Sequence, residues 1–488
     1  MIQKDNYNFF LNVFFEKVSQ FPEKIAIVTE STSITYKDLY EKAMCFSVYL
    51  IEKYPNEKII AVSSNKDVNS IVGILATCIV GKTFIPISQL IPAERINQIL
   101  EDSSSVFIDC EEINCVIESN NFTNESENLV NSWIHSIQEA CKSFYIIYTS
   151  GTTGNPKGVL MNYKEVFNTI DVLIDEYDIG HNDCLLNLAP LDFDLSIFDI
   201  FATLKCGAKL VLFDDAKNVK KVIYTIQEHD VTIWNSVPTV MELLVLYMSY
   251  GLPKNKTFNS LRLVFLSGAP TKIDIAKKIL IRFPKAKLVC MGGATECGIW
   301  TTFIEYTNQP HLDNYTFVPY GSALSNQKII VLNDDFQEVD KEEVGELYIG
   351  GGSLAEKYFN NDEKTKEAFV TLGERWYKTG DSMKYDDRNE LIFCGRIDRQ
   401  VKINGFRVEL DAIEQIIQNV IGVNNIVVER DNKIILIHES GQSGTQIKNL
   451  LSKQLPEYML PNLTIEIGKI PLTKNGKKDY SKAKSLTA

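Results

Sequence analysis

From the N-terminus to about residue 395 the chain alternates short apolar runs with longer amphipathic ones, and that rhythm admits few folds. Ile59 to Val62, Phe84 to Ile87, Val106 to Ile108, Leu185 to Leu188, Leu210 to Phe213, Val231 to Trp234 and Leu263 to Leu266 are dense in β-branched and aliphatic residues and predict strands. Tyr163 to Tyr177, Val219 to Glu228 and Val240 to Tyr250 carry helical periodicity between them. Strand and helix taken in turn imply an α/β core of mainly parallel sheets flanked by helices. Ile71 to Val80 is too short to span a bilayer and predicts a core helix. Glu111 to Asn131, rich in Asn, Ser and Glu, reads as a mobile surface excursion.

Near residue 395 the character changes. Leu410 to Val420 predicts a helix, Ile426 to Val428 and Ile434 to Ile437 predict strands, and Ile447 to Leu455 predicts a second helix. That makes a small C-terminal α+β domain. We place the boundary between residues 1–396 and 397–488. A net charge of −13 argues against nucleic acid and anionic membrane surfaces as partners. Ten cysteines without a CxxC pair suit reduced thiols in the cytoplasm. The first fifteen residues carry Asp5 and no cleavage-like site, so no signal peptide is expected.

Tyr148 to Val159 reads YTSGTTGNPKGV. It follows the apolar run Phe144 to Tyr148 and then gives up regular structure for glycines and hydroxyl residues. Glycines let backbone amides approach a ligand, and hydroxyls beside them make a nest of donors for phosphate oxygens. Lys157 adds a charge-assisted contact. A Walker loop would end Gly-Lys-Ser/Thr, which this one does not. The plain alternative is a polar surface turn.

This string resembles the phosphate loop of the adenylate-forming superfamily, which includes acyl-CoA synthetases, luciferases and adenylation domains of nonribosomal peptide synthetases. The likeness recurs in order along nearly the whole chain. It implies that Thr149, Ser150, Gly151, Thr152, Thr153, Gly154 and Lys157 bind the phosphates of ATP. Gly292-Gly293-Ala294-Thr295-Glu296 resembles the second nucleotide motif, with Thr295 on phosphate and Glu296 on Mg²⁺. Asp381, in Tyr377 to Asp381, matches the carboxylate that holds the ribose; Phe393 matches an aromatic against the nucleoside, and Arg396 a phosphate-contacting arginine. Gly395 to Gly405 resembles the hinge, at Asp398, and Lys477 the lysine that bridges substrate carboxylate and α-phosphate. Lys474 and Lys478 read as a solvated basic tail. The chain departs from the pattern at Gly292, where most amino-acid-activating relatives stack a tyrosine on adenine. Such stacking is worth ~1 kcal/mol. Its absence leaves weaker ATP binding or cover by another side chain.

Phe193 to Phe198 resembles the motif whose aspartate, here Asp194, pairs with the substrate ammonium; the alternative is a helix N-cap. Motif by motif, the side-chain pocket falls on Asp194, Leu195, Phe198, Asn235, Phe265, Ser267, Met291, Ile299 and Trp300. Bulky apolar walls leave room for a small side chain, and Asn235 and Ser267 add slight polarity, so the residues alone admit Cys, Ser or Ala. The set resembles that of cysteine-activating domains in thiazoline-forming synthetases. The family likeness implies aminoacyl-AMP formation and loading of a carrier protein's phosphopantetheine thiol in trans, with a small helper protein among the expected partners. No stretch resembles a carrier domain; Gly350 to Ser353 lies in a core motif of the family. The alternatives are a D-alanine–carrier ligase, an acyl-CoA synthetase, which Asp194 disfavours, and an inactive nucleotide-binding relative.

Overall fold

The computed structural model describes residues 6–137, 142–150, 155–253, 256–307, 311–473 and 477–487. The chain divides into two compact units. The first comprises Met1–Ser88, Ser104–Ile147 and Val159–Gly395; the second comprises Gln89–Ser103, Tyr148–Gly158 and Arg396–Ala488.

The largest sheet of the first unit has nine strands, and six neighbouring ones run parallel: Lys287–Gly292, Leu263–Leu266, Ile233–Ser236, Cys184–Asn187, Lys209–Leu212 and Ile25–Val28. After Cys184–Asn187 the chain adds Lys209–Leu212 on one side, then returns to add Ile233–Ser236 on the other. Such a switch in strand order opens a crevice at the carboxyl ends of the strands, the usual ligand position in open α/β sheets. A strand expected at Val231 to Trp234 runs instead from Ile233 to Ser236, which brings Asn235 into the sheet. There Asn235 pairs in register with Asn187 and Phe265.

A six-stranded sheet contains Ile59–Ser63, Thr83–Ile87, Val106–Ile108 and Ser143–Thr149. Beside it the expected core helix runs Val68–Ile79, opened by the Asp67 carboxylate accepting from the Ser70 amide at 2.7 Å. A third sheet carries Glu374–Tyr385 and Leu391–Arg396.

The surface excursion expected over Glu111 to Asn131 is corrected. Two helices, Cys110–Ser119 and Asn124–Ile137, occupy this stretch. Its polar composition hides a helical spacing of apolar residues that buries Ile113, Val130 and Ile134.

In the second unit, Gln400–Ile403 and Phe406–Glu409 form a hairpin closed by Asn404 and Gly405, both at positive φ. Asn-Gly is the dipeptide such a two-residue turn favours. Helix Leu410–Ile421 packs on a sheet of Asn425–Arg430, Lys433–His438 and Leu463–Glu466. The last expected helix, Ile447 to Leu455, lies earlier in the chain, at Gly444–Leu451, with a Ser443–Gln446 capping box and Ser452 as C-cap. No helix of the described residues is long and apolar enough to cross a membrane.

Candidate active site

Helix Asp194–Cys206 follows the switch-point strand. Phe193 is its N-cap and makes no side-chain cap bond, so the N-cap reading of Asp194 is corrected: Asp194 is the first helical residue. The free amides of a helix N-terminus favour a negative charge there. The carboxylate is 5% exposed and accepts a hydrogen bond from the Thr295 hydroxyl at 2.7 Å. Two residues read from separate motifs are thus in direct contact.

Phe198, Phe265 and Trp300 meet as three rings, with centroids 5.0 Å apart for Phe198–Trp300, 5.5 Å for Phe198–Phe265 and 5.7 Å for Phe265–Trp300. Leu195, Met291 and Ile299 are buried as well. The Asn235 amide nitrogen donates to the Leu195 carbonyl at 3.2 Å and the Asp199 carboxylate at 2.9 Å. Because those neighbours accept, the amide orientation follows, and Asn235 Oδ1 stays buried without a partner. Ser267 Oγ and Trp300 Nε1 are also buried without one. These buried polar atoms lack a partner within the protein.

Asp199 is a residue that motif reading missed. It lies fully buried and accepts from Asn187 at 2.9 Å as well as from Asn235. Burial pushes its carboxyl up to about 7, against the opposing effect of the two amides and of Lys66. Its sequence signal is an ionisable residue inside the otherwise apolar run Ile197 to Phe201.

Between Gly292 and Trp300 the backbone folds back on itself. Thr301 donates its amide to the Gly292 carbonyl at 2.8 Å, and a Cβ on Gly293 would lie 2.6 Å from the Ile299 carbonyl oxygen and 2.7 Å from Trp300 Cα. Ile299 has φ of +78°, an uncommon value for a β-branched residue and a local strain. Ala294 precedes the turn Thr295–Cys297, in which Glu296 is fully buried and accepts from the Tyr358 hydroxyl at 2.7 Å. Asp381 is 8% exposed, and its amide donates to Thr379 Oγ1 at 2.9 Å. Phe393, on the strand Leu391–Arg396, is 38% exposed, which leaves ring surface open to a ligand.

In the second unit, Thr149 Oγ1 is buried without a partner, while Ser150 Oγ donates to the Arg407 carbonyl at 2.8 Å. Gly151, Thr152, Thr153 and Gly154 lie outside the described residues, and Lys157 opens the next strand. Arg396 makes a two-pronged contact with Asp398 at 2.7 and 2.8 Å. Lys477 sits at a tight return: Thr473 donates its amide to the Lys477 carbonyl at 2.7 Å, and the Lys477 amide donates to Thr473 Oγ1 at 3.2 Å. Lys478 is corrected from a solvated tail residue. It pairs at 2.5 Å with the buried Glu414, which also accepts from Arg399 at 2.9 Å. Lys474 lies outside the described residues.

In the first unit the buried carboxylate of Asp381 suits a nucleoside hydroxyl, and in the second unit the unpartnered Thr149 hydroxyl suits a phosphate oxygen. No group of three or more His, Cys, Asp or Glu able to hold a metal occurs among the described residues. A Mg²⁺ ion here would take one carboxylate, Glu296, with phosphate oxygens and water for the rest, a common arrangement for that ion.

A family model described as AMP-binding enzyme matches residues 14–359. The anguibactin system regulator of Vibrio anguillarum is 33% identical over 97% of this chain, which spans only 47% of the regulator's length. A D-alanine–D-alanyl carrier protein ligase of Bacillus anthracis is 30% identical, with 94% of this chain and 96% of the ligase covered. Among solved structures, the Vibrio cholerae adenylation domain AlmE in complex with glycyl-adenosine-5'-phosphate shares the fold, with a TM-score of 0.83, 22% identity and 98% of each chain covered. With its family match running over most of the chain, the protein belongs to the AMP-binding enzymes.

Proposed function

We propose that the chain activates a small amino acid, L-cysteine first among candidates, and passes it to a carrier protein. The observation that carries this reading is Asp194: a buried carboxylate at the first position of a helix, bonded to Thr295, on the same helix as Phe198, whose ring meets Phe265 and Trp300. A buried carboxylate gains most from a cationic partner, and an α-ammonium supplies one. The rings limit the side chain to a small one. Asn235 Oδ1 accepts only, so it favours a thiol or hydroxyl over a methyl.

In the first half-reaction a substrate carboxylate oxygen attacks the α-phosphorus of ATP, and pyrophosphate leaves. In the second a phosphopantetheine sulfur attacks the acyl carbon, and AMP leaves. Positioning and charge supply most of the acceleration in such transfers. The residues assigned are Thr149, Ser150, Lys157 and Thr295 for phosphate, Glu296 for Mg²⁺, Asp381 and Phe393 for the nucleoside, Arg396 for phosphate and Lys477 as the catalytic cation. The phosphate assignment extends to Gly151, Thr152, Thr153 and Gly154. Asp398 is the proposed hinge between residues 1–396 and 397–488, and the cytoplasm the proposed compartment. A carrier partner is supported by the B. anthracis relative, whose name includes a D-alanyl carrier protein. That same likeness, along nearly the full length of both chains, makes D-alanine the second substrate reading.

Amino-acid-dependent ATP–pyrophosphate exchange tests the proposal. Exchange led by L-cysteine, and abolished in Lys477→Ala, is expected. Exchange led by D-alanine would overturn the pocket reading and leave the chemistry standing. Absence of exchange with every amino acid would overturn both.

A further inference from the structure

Gly292 stands where a stacking tyrosine is expected, yet the space beside it is filled. A Cβ built on Gly292 would lie 2.3 Å from Tyr320 Cε1, 2.5 Å from Tyr320 Cζ and 2.6 Å from Thr302 Oγ1. No side chain fits at position 292 while the Tyr320 ring is there. The ring arrives from a different segment, held at both ends. Val318 donates its amide to the Thr271 carbonyl at 2.8 Å, and Tyr320 donates its own to the Leu391 carbonyl at 2.8 Å. Next to it, Gly321 has φ of +78°, and a Cβ there would fall 2.1 Å from the Phe303 carbonyl oxygen, so the close approach requires glycine. Leu391 begins the strand that carries Phe393, the other aromatic assigned to the nucleoside. Tyr320 is partly exposed, and its ring packs against the main hydrophobic core.

We propose that Tyr320 supplies the aromatic face for adenine in place of a side chain at position 292, so that this chain covers the base from the segment before Gly321. The inference rests on the nucleotide reading of Gly292 to Glu296 given above. An aromatic on this segment leaves the strand end Lys287–Gly292 free of side chains while keeping one face of the base covered. Ring, not hydroxyl, is the active part, because stacking uses the π surface.

Isothermal titration of the whole protein with ATP, without amino acid, reads binding apart from turnover. Tyr320→Ala and Tyr320→Leu should each weaken ATP about fivefold, the ratio that ~1 kcal/mol of lost stacking gives. Tyr320→Phe should bind as wild type, and affinity for inorganic tripolyphosphate should stay unchanged in all three variants. That last readout separates loss of a base contact from general distortion, and the leucine variant keeps bulk where alanine threatens the fold. Wild-type affinity for ATP in both Tyr320→Ala and Tyr320→Leu would overturn the inference alone. Equal weakening of ATP and tripolyphosphate would overturn it too, by making Tyr320 a structural prop. Wild-type protein that binds no ATP would overturn the underlying nucleotide reading and this inference with it.

Discussion

At the carboxyl end of the nine-stranded sheet, the row Asn187, Asn235 and Phe265 carries full side chains packed to the point of burial. The strand Lys287–Gly292 beyond Leu263–Leu266 ends in Gly292, and Gly293 follows, with no side chain at either position. Under the proposed function, the packed row is the wall that limits the amino-acid side chain to a small one. The bare step is bare because neighbours already occupy its space: Tyr320 and Thr302 at Gly292, and the Ile299–Trp300 backbone at Gly293. The row is filled by its own side chains, and the step one strand away is filled by its neighbours. Both properties depend on segments distant in sequence.

Four substitutions test this contrast. Trp300→Ala removes one of the three rings from the filled side and should cost ~3–5 kcal/mol of stability, as large-to-small core changes do; urea denaturation reads it, and the enlarged pocket should admit bulkier amino acids in exchange assays. Gly293→Ala puts a methyl against the Ile299 and Trp300 backbone and should lower exchange about 10²-fold through misplacement of the 292–300 turn. A glycine that merely tolerates substitution would leave exchange near wild type. Asp194→Ala should reduce kcat/KM for the amino acid by about 10-fold or more, since bonds to charged groups are worth ~1.5–3 kcal/mol; unchanged kinetics would remove the ammonium role. Ser267→Ala should be mildest. Its hydroxyl makes no bond in the free protein, so melting should not move, while the KM for cysteine should rise about fivefold if that hydroxyl serves the substrate.

The filled side was largely legible from sequence. The strand Leu263–Leu266 has the expected ends; Phe198, Phe265 and Trp300, taken from three separate motifs, meet as rings, and Asp194 meets Thr295 of another motif. The supports behind that side were not. Asp199 belongs to no motif; only the structure shows its carboxylate holding the two asparagine amides. Tyr320 was unreadable because its meaning depends on the absence of a side chain at Gly292, a contact made only in the folded chain. Lys478 looked like one of a run of surface cations, since the Glu414 carboxylate it meets lies far earlier in sequence. The helices Cys110–Ser119 and Asn124–Ile137 were masked by composition, because Asn, Ser and Glu dominate while a few spaced apolar residues do the packing.

Under the proposed function, this AMP-binding enzyme selects a small amino acid bearing a side-chain hydrogen-bond donor. Mass spectrometry of the adenylates formed from an equimolar mixture of all common amino acids, with D-alanine, 2-aminobutyrate and a medium-chain fatty acid added, tests it most directly. Cysteinyl adenylate should dominate, with seryl adenylate next and 2-aminobutyryl adenylate well below cysteinyl despite its similar size. An alanyl, 2-aminobutyryl or fatty acyl adenylate at the head of the mixture would contradict it.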